Sequence, residues 1–154
     1  MLFFKGNHDA FEKRKKQQEV WKCVRRIIDT SAPNFTSLGT DQRAASRSNR
    51  CVPAVLSRCE CDGKIVDEPL FAVTKDFSDN GIGFVLQRPL NAEAVICGFW
   101  LDGPIFFAGM QRQEIPFGEG FWLTGVQLTE VISLCDAGPL LPHVNYMATA
   151  WSQA

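Results

Sequence analysis

The order of apolar and polar positions divides the chain into a helical segment and a longer series of strand-like segments. Within residues 11–29, apolar side chains recur at three- and four-residue spacing, namely Val20, Trp21, Val24, Ile27 and Ile28. This spacing places them on one face of a helix, with charged residues largely on the other face. The pattern predicts a helix over about 11–29 whose second half docks on another surface, followed by a linker over 31–42.

From Cys51 onward, the pattern is that of short strands separated by turns. The predicted strands lie at 51–61, 64–75, 82–87, 94–101, 105–113 and 121–128. Turn signals separate several of them, namely Asp62-Gly63, Asp102-Gly103 and Phe117-Gly118-Glu119-Gly120. Six short strands at this spacing predict an all-β fold, either a small antiparallel barrel or a sandwich.

The last part of the chain departs from the strand pattern. Residues 129–135 suit a short helix, which Gly138-Pro139 would end. The tail over 143–154 contains Tyr146 and Trp151 without a clear period. This tail is expected either to fray or to pack against the strands.

Length and composition limit the architecture to one domain. A chain of 154 residues is long enough for one hydrophobic core. With 45% hydrophobic and 21% charged residues, it is typical neither of a disordered chain nor of a membrane protein. The apolar stretches are interrupted well before the roughly 20 residues of a spanning helix, and no signal-peptide pattern follows Met1. We therefore expect a soluble cytoplasmic protein without a membrane span.

Charge is distributed unevenly along the chain. Residues 1–50 hold eleven Lys/Arg and five Asp/Glu, a balance of +6, whereas residues 51–154 have a balance of −7. A basic arm that leads into an acidic body favours either an anionic partner near the arm or docking of the arm on the body. A solvated charged helix is the plainer interpretation. Nucleic acid is not expected as a partner, because the predicted strand region is acidic.

The sequence contains no set of residues that is typical of catalysis or of a metal site. Six cysteines without a secretion signal indicate reduced thiols. Cys59 and Cys61 would share one face of a strand, but no further ligands complete a tetrahedral site. The two histidines, His8 and His143, lie near opposite ends of the chain without a matching nucleophile or carboxylate. We expect no enzyme activity, no metal and no cofactor.

Two short polar motifs remain as candidates for binding. Arg43-Ala44-Ala45-Ser46-Arg47 is an RxxxR segment in the linker before the first strand. Asp76-Phe77-Ser78-Asp79-Asn80-Gly81 is a DxSxxG segment at the end of the second strand. Taken alone, the first is common in basic segments and the second is typical of a polar turn.

In this order and context, the two motifs are similar to those of the PilZ family. The resemblance covers about residues 42–135 and includes 124–128 as the last strand. It implies a six-stranded antiparallel PilZ-type β-barrel over 43–136. The resemblance does not cover the basic N-terminal arm of residues 1–42, which contains the predicted helix, or the C-terminal tail of residues 137–154. The residue pattern alone predicts these parts and the short C-terminal helix.

The resemblance also implies a function, which is binding of the second messenger cyclic di-GMP. The implied ligand-binding residues are Arg43, Arg47, Asp76, Ser78 and Gly81. An arginine fork matches both phosphate oxygens and the O6/N7 edge of guanine. A carboxylate at Asp76 accepts from guanine N1–H and N2–H, and the Ser78 hydroxyl reaches N2 or a phosphate oxygen. Gly81 lets the backbone turn and approach the ligand.

Several alternatives stay open at this point. Many family members have a further arginine at the position of Gln42, so the ligand stoichiometry is not fixed. A receptor would order its RxxxR segment on binding, and a downstream protein partner would detect the change. A PilZ-type adaptor that binds a protein partner without nucleotide is the main alternative. The apolar stripe of the helix is covered either by the barrel of its own chain or by a second copy, so a homodimer is also open.

Overall fold

A computed structural model of the chain describes residues 2–31, 51–60, 64–78, 81–133 and 136–152. In these ranges the chain forms two α-helices, a short 3₁₀ turn and six β-strands. The helices are α1 (Leu2–Ser31) and α2 (Leu141–Ser152), and the turn Gly138–Leu140 leads into α2. The strands are β1 (Pro53–Cys59), β2 (Leu70–Phe77), β3 (Gly81–Leu86), β4 (Ala94–Trp100), β5 (Pro104–Gly118) and β6 (Phe121–Ile132).

The six strands form a closed antiparallel barrel. Their order around the barrel is β1-β2-β3-β6-β5-β4. Four of the pairs join strands that are consecutive in sequence, whereas β3 with β6 and β1 with β4 join strands that are distant in sequence. The prediction of a six-stranded antiparallel β-barrel with an N-terminal helix and a short C-terminal helix is confirmed. Closure into a barrel also excludes the sandwich.

The barrel interior is built around a cluster of aromatic rings. The centroid of the Phe99 ring lies 6.4 Å from that of Phe77, 6.2 Å from Phe84 and 5.9 Å from Phe107. All four side chains are completely buried. Aromatic pairs at these separations stabilise a core beyond the gain from buried area. Phe99 therefore connects the inner faces of four strands.

The longest strands, β5 and β6, form a hairpin that extends past the end of β4. β4 pairs with β5 only as far as Met110, whereas β5 and β6 remain paired to Gly118 and Phe121. The tip of the hairpin contains Gly118, Glu119 and Gly120, with φ values of 97°, 54° and 85°. Positive φ values favour glycine, which explains the turn that the sequence predicts here.

Helix α1 docks on the barrel of its own chain. Val20, Val24 and Ile27 are at most 1% exposed and belong to the same buried cluster as the barrel interior. The helix packs along β6, and the Lys16 Nζ lies 3.1 Å from the Glu130 Oε2 on that strand. The predicted apolar stripe is therefore buried against the barrel of its own chain. The helix begins well before the predicted residue 11.

Helix α2 packs on the outer face of β1 and β4. Val144 and Met147 of the helix form a second buried cluster with Val55 and Ile96 of these strands. The helix lies close to the sheet because Gly98 has no side chain. A Cβ at Gly98 would come within 2.7 Å of the Val144 Cγ2. Of the two alternatives for the tail, packing is therefore the one observed.

The predicted position of the C-terminal helix, at residues 129–135, is wrong for 129–132. Thr129–Ile132 continue β6 as a strand, and Val131 lies opposite Phe107 of β5. A short apolar run does not distinguish a strand from a helix by its period, so pairing with β5 decides the outcome. The C-terminal helix begins at Leu141 instead.

Some expectations concern residues that the structure does not describe. Residues 32–42 of the predicted linker and the turn at Asp62-Gly63 lie outside the described ranges. On the question of membrane spans, neither α1 nor α2 of the described part is both long enough and apolar enough to cross a bilayer.

Replacing Phe99 with alanine should strongly destabilise the barrel, because it removes the ring that three others contact. We expect Phe99→Ala to lower the free energy of unfolding by about 3–5 kcal/mol, measured by chemical denaturation. Phe117→Ala is the matched control, because Phe117 lies near the hairpin tip and is 47% exposed. The control should change stability by about 0.5 kcal/mol or less. Equal losses in both variants would contradict the central role of Phe99.

Candidate functional site

The DxSxxG segment lies where β2 ends and the chain returns as β3. Asp76 and Phe77 are the last residues of β2, Ser78 follows, and Gly81 begins β3. The two residues between Ser78 and Gly81 lie outside the described ranges. Phe77 points into the barrel and is completely buried. Because side chains alternate along an extended chain, its neighbours Asp76 and Ser78 are directed to the outer surface.

Ser78 and Gly81 are held together by hydrogen bonds. The Ser78 backbone N–H donates to the Gly81 carbonyl at 2.8 Å, and the Ser78 hydroxyl donates to the same oxygen at 3.3 Å. A Cβ at Gly81 would lie 3.1 Å from the Ser78 Oγ. The described residues with positive φ do not include Gly81. Glycine is therefore favoured here by the close approach of the hydroxyl and not by an unusual turn.

The Asp76 carboxylate is partly buried and has unused acceptor capacity. Its side chain is 18% exposed, and the Lys75 Nζ lies 3.6 Å from its Oδ2. Within the part of the chain that the structure describes, no N–H or O–H group donates a hydrogen bond to it. A carboxylate accepts several hydrogen bonds, so Asp76 is available to a ligand that presents N–H donors.

Glycines form the surface beside Asp76. Across the barrel wall, Asp76 of β2 lies opposite Gly83 of β3, Gly83 opposite Gly125 of β6, and Gly125 opposite Gln113 of β5. A Cβ at Gly83 would come within 2.5 Å of the Asp76 Oδ1. Gly83 therefore sets the position of the carboxylate. This role of Gly83 was not among the predictions from the sequence, although a glycine inside a strand is a signal of close approach.

These residues line one surface cleft. The cleft has a volume of about 360 Å³ and includes Asp76, Ser78 and Gly81. Lys75 and Arg112 lie on its walls and supply positive charge. Three of the five predicted site residues are thus brought together, while Arg43 and Arg47 lie outside the described residues. The cleft presents hydrogen-bond acceptors and cations beside a surface that includes Gly83 and Gly125.

The described chain resumes at Cys51, and Val52 pairs with β2 two residues before Asp76. The Val52 backbone N–H donates to the Thr74 Oγ1 at 2.8 Å, and the Thr74 N–H donates to the Val52 carbonyl at 2.9 Å. Thr74 precedes Asp76 by two residues on β2. Arg47 precedes Val52 by five residues in the sequence.

Another cleft is less suited to an anionic ligand. It has a volume of about 480 Å³ and is lined in part by Arg58, Asp67 and Glu68. The Arg58 Nε lies 3.2 Å from the Asp67 Oδ2, so this cation already has an anionic partner. Glu68 and Arg88 also line it, so its charges balance, whereas the cleft at Asp76 has two cations and one carboxylate and is more favourable to phosphate groups.

The described thiols and possible metal ligands lie apart from one another. Within the described ranges, no three His, Cys, Asp or Glu side chains come together as metal ligands. Cys97 is completely buried, and this burial raises the pKa of its thiol far above the usual range. Burial raises the pKa of Cys23 as well. Both thiols are protonated at neutral pH, which disfavours them as nucleophiles.

The barrel has six antiparallel strands, and the DxSxxG segment lies at the end of β2. Among solved structures, the Bacillus subtilis inhibitor of motility, MotI/DgrA, is similar to this chain with a TM-score of 0.45 and 12% identity. The alignment covers 77% of this chain and 57% of that one, so the present chain spans little more than half the length of MotI/DgrA.

A second solved structure is the PilZ domain with c-di-GMP of YcgR from Escherichia coli. It is similar with a TM-score of 0.28 and 12% identity, over 73% of this chain and 98% of that chain. No family model matches the chain. No curated protein matches it either.

Adding a methyl group at Gly83 should displace the Asp76 carboxylate without unfolding the barrel. The new Cβ would meet the end of a side chain that is able to rotate, so Gly83→Ala should leave the circular dichroism spectrum unchanged. A crystal structure of the variant should show a different χ1 for Asp76. Gly125→Ala is the control, because its Cβ would be 3.6 Å from the nearest atom, an ordinary contact. An unmoved carboxylate in Gly83→Ala would contradict this account.

Proposed function

We propose that this chain is a cyclic di-GMP receptor without catalytic activity, and that the cleft at the end of β2 is its binding site. The observation that supports the proposal most directly is the environment of the Asp76 carboxylate. Its carboxylate is 18% exposed and lines the same cleft as Ser78 and Gly81. Over the described residues, only the Lys75 ammonium lies near it as a charge partner.

Recognition of guanine is assigned to Asp76. The Watson–Crick edge of guanine presents two adjacent donors, N1–H and N2–H, which match the two oxygens of a carboxylate. Adenine presents an acceptor at N1, which would face the negative charge. A partly buried carboxylate therefore selects guanine over adenine, because the wrong base leaves polar groups without partners.

The glycine floor suits a flat ligand. Gly81, Gly83 and Gly125 lie side by side on β3 and β6, and none has a side chain to raise the surface. A purine ring is thus able to approach the backbone closely. The Ser78 hydroxyl stands at the edge of this floor and supplies one further polar contact.

Arg43 and Arg47 are proposed to close over the ligand from the segment that precedes β1. Their guanidinium groups would pair with the two phosphates or with the O6/N7 edge of guanine. The assignment comes from the RxxxR motif, and the entry point of the segment beside Thr74 is consistent with it. The cleft itself has its cations at Lys75 and Arg112, so further positive charge would favour a dianion.

We further propose that ligand binding changes how the N-terminal arm meets the barrel. In this scheme, residues 43–136 bind the ligand and residues 1–42 form the arm that responds. Helix α1 packs on β6, the strand that also supplies Gly125 to the cleft. Ordering of Arg43 and Arg47 would therefore bias the position of α1, and a protein partner would detect the change.

A PilZ-type adaptor that binds a protein without nucleotide is the second candidate. It is favoured by three exposed apolar side chains near the tip of the β5–β6 hairpin, which are Ile115, Phe117 and Phe121. Exposed apolar side chains near one another are typical of contact surfaces. An adaptor would bind no nucleotide in the cleft, so titration with cyclic di-GMP distinguishes the receptor from the adaptor.

Calorimetric titration with cyclic di-GMP should show binding to the wild-type protein, with cyclic di-AMP and GTP binding far more weakly. Asp76→Ala and Arg47→Ala should each raise Kd at least about 10-fold, because hydrogen bonds to charged groups contribute about 1.5–3 kcal/mol. Asp102→Ala, which removes an exposed carboxylate in the β4–β5 turn, is the matched control and should bind normally. A folded wild-type protein that binds no cyclic di-GMP would refute the receptor and favour the adaptor.

Cyclic di-GMP should also change the fluorescence of Trp21, which is partly exposed on α1 with the Arg25 guanidinium 5.6 Å from its ring centroid. The measurement uses a protein whose other three tryptophans are replaced by Phe, so that all tryptophan emission comes from Trp21. Light scattering of the same samples follows the oligomeric state. Constant emission and constant mass at ligand saturation would contradict a role for the arm in signalling.

A further inference from the structure

Two basic residues occupy β-bulges that border the cleft. Between β2 and β3 the register shifts at Lys75, and between β5 and β6 it shifts at Arg112. A bulge leaves one residue without a partner in the ladder and redirects its side chain. At Arg112 the alternation of the strand is broken, since both Arg112 and Gln113 are exposed. Both bulged side chains line the cleft.

Arg112 differs from Lys75 in its charge environment. The Lys75 Nζ lies near the Asp76 carboxylate, whereas no carboxylate of the described residues pairs with Arg112. The Arg112 Nε donates instead to the neutral Gln127 Oε1 at 2.7 Å. This bond fixes one edge of the guanidinium and leaves its four terminal N–H groups without an acceptor in the described part of the chain. A positioned cation with free donors is suited to an anion or to a guanine O6/N7 edge.

The position of Arg112 relative to Asp76 defines which part of a ligand it meets. Asp76 is on β2 and Arg112 on β5, with β3 and β6 between them. Three strand spacings separate their backbones by about 14 Å. If Asp76 binds one nucleotide of a dinucleotide, the other nucleotide would lie at the Arg112 side of the cleft.

We propose that Arg112 is a binding residue for the half of cyclic di-GMP that lies away from Asp76. Its terminal N–H groups donate to a pair of acceptors there, which are either the guanine O6 and N7 or two phosphate oxygens. Gln127 is the positioning residue that holds the guanidinium toward the floor. The proposal rests on the proposed function of the cleft and extends it to a residue that neither motif contains.

The test compares Arg112→Ala with Arg88→Ala by calorimetry with cyclic di-GMP. Arg88 is exposed and lines a different cleft, so its variant removes the same charge without touching the site. Arg112→Ala should raise Kd about 10- to 100-fold, the range for loss of charge-assisted hydrogen bonds, and Arg88→Ala should raise it less than about 2-fold. Arg112→Lys should restore binding only in part, because it lacks the planar fork.

A second ligand, the mixed cyclic GMP-AMP, distinguishes the two acceptor pairs. If Arg112 contacts the far guanine, Arg112→Ala should abolish a preference of the wild-type protein for cyclic di-GMP over the mixed ligand. If Arg112 contacts phosphate, the variant should lose affinity equally for both ligands. Either result supports a direct contact.

The outcomes also separate this proposal from the function on which it rests. If the wild-type protein binds and Asp76→Ala weakens binding, but Arg112→Ala behaves like Arg88→Ala, the role of Arg112 is refuted and the receptor stands. If the folded wild-type protein does not bind, the proposed function fails first. Unchanged thermal unfolding of Arg112→Ala verifies that any loss of affinity is local.

Discussion

Burial of Phe77 inside the barrel is the contact on which the candidate site depends. The Phe77 ring contacts Phe99, and this position fixes which way the neighbouring side chains point. Because side chains alternate along a strand, Asp76 and Ser78 must face outward when Phe77 faces inward. A register shift of one residue would turn the carboxylate into the core, where its charge would be costly to bury. The core therefore determines the orientation of the polar motif.

Two of the four register shifts between the described strands lie on the outer surface next to this motif. Inside the barrel, large apolar residues alternate as expected for a packed core. On the outside, two bulges place Lys75 and Arg112 at opposite sides of a floor made by Gly83 and Gly125. Bulges and strand glycines each reduce regular pairing or packing. The two bulges and two glycines beside Asp76 therefore shape the surface that a ligand at this cleft would meet.

The same strand links the site to the N-terminal helix. β6 contributes Gly125 and Gln127 to the cleft and Glu130 to the ion pair with Lys16 of α1. In the sequence, the segment with Arg43 and Arg47 connects α1 to β1. A ligand that binds two arrangements of the arm with different affinity would shift the balance between them. β6 therefore contacts both the cleft and the helix α1 of the arm, which is the arrangement that the proposed signalling would require.

Local sequence patterns were sufficient for much of this architecture. The spacing of Val20, Val24 and Ile27 predicted a docked helix, because an apolar stripe at helical spacing must be buried against another surface. The turn signals and alternating segments predicted six strands, and the DxSxxG segment falls at the end of β2 as expected. These features depend on neighbours within a few residues. They can therefore be predicted from the sequence without knowledge of the tertiary structure.

Other features were decided only by contacts between distant parts of the chain. Closure of the barrel required β3 to pair with β6 and β1 to pair with β4. Pairing with β5 made residues 129–132 a strand, although their pattern suited a helix. The role of Gly83 arises because Asp76 lies opposite it on another strand. Arg112 enters the cleft through a bulge whose position depends on the register between β5 and β6. Periodicity encodes which face of a strand is buried, but not which strand lies beside it, and that pairing is what only the tertiary structure determines.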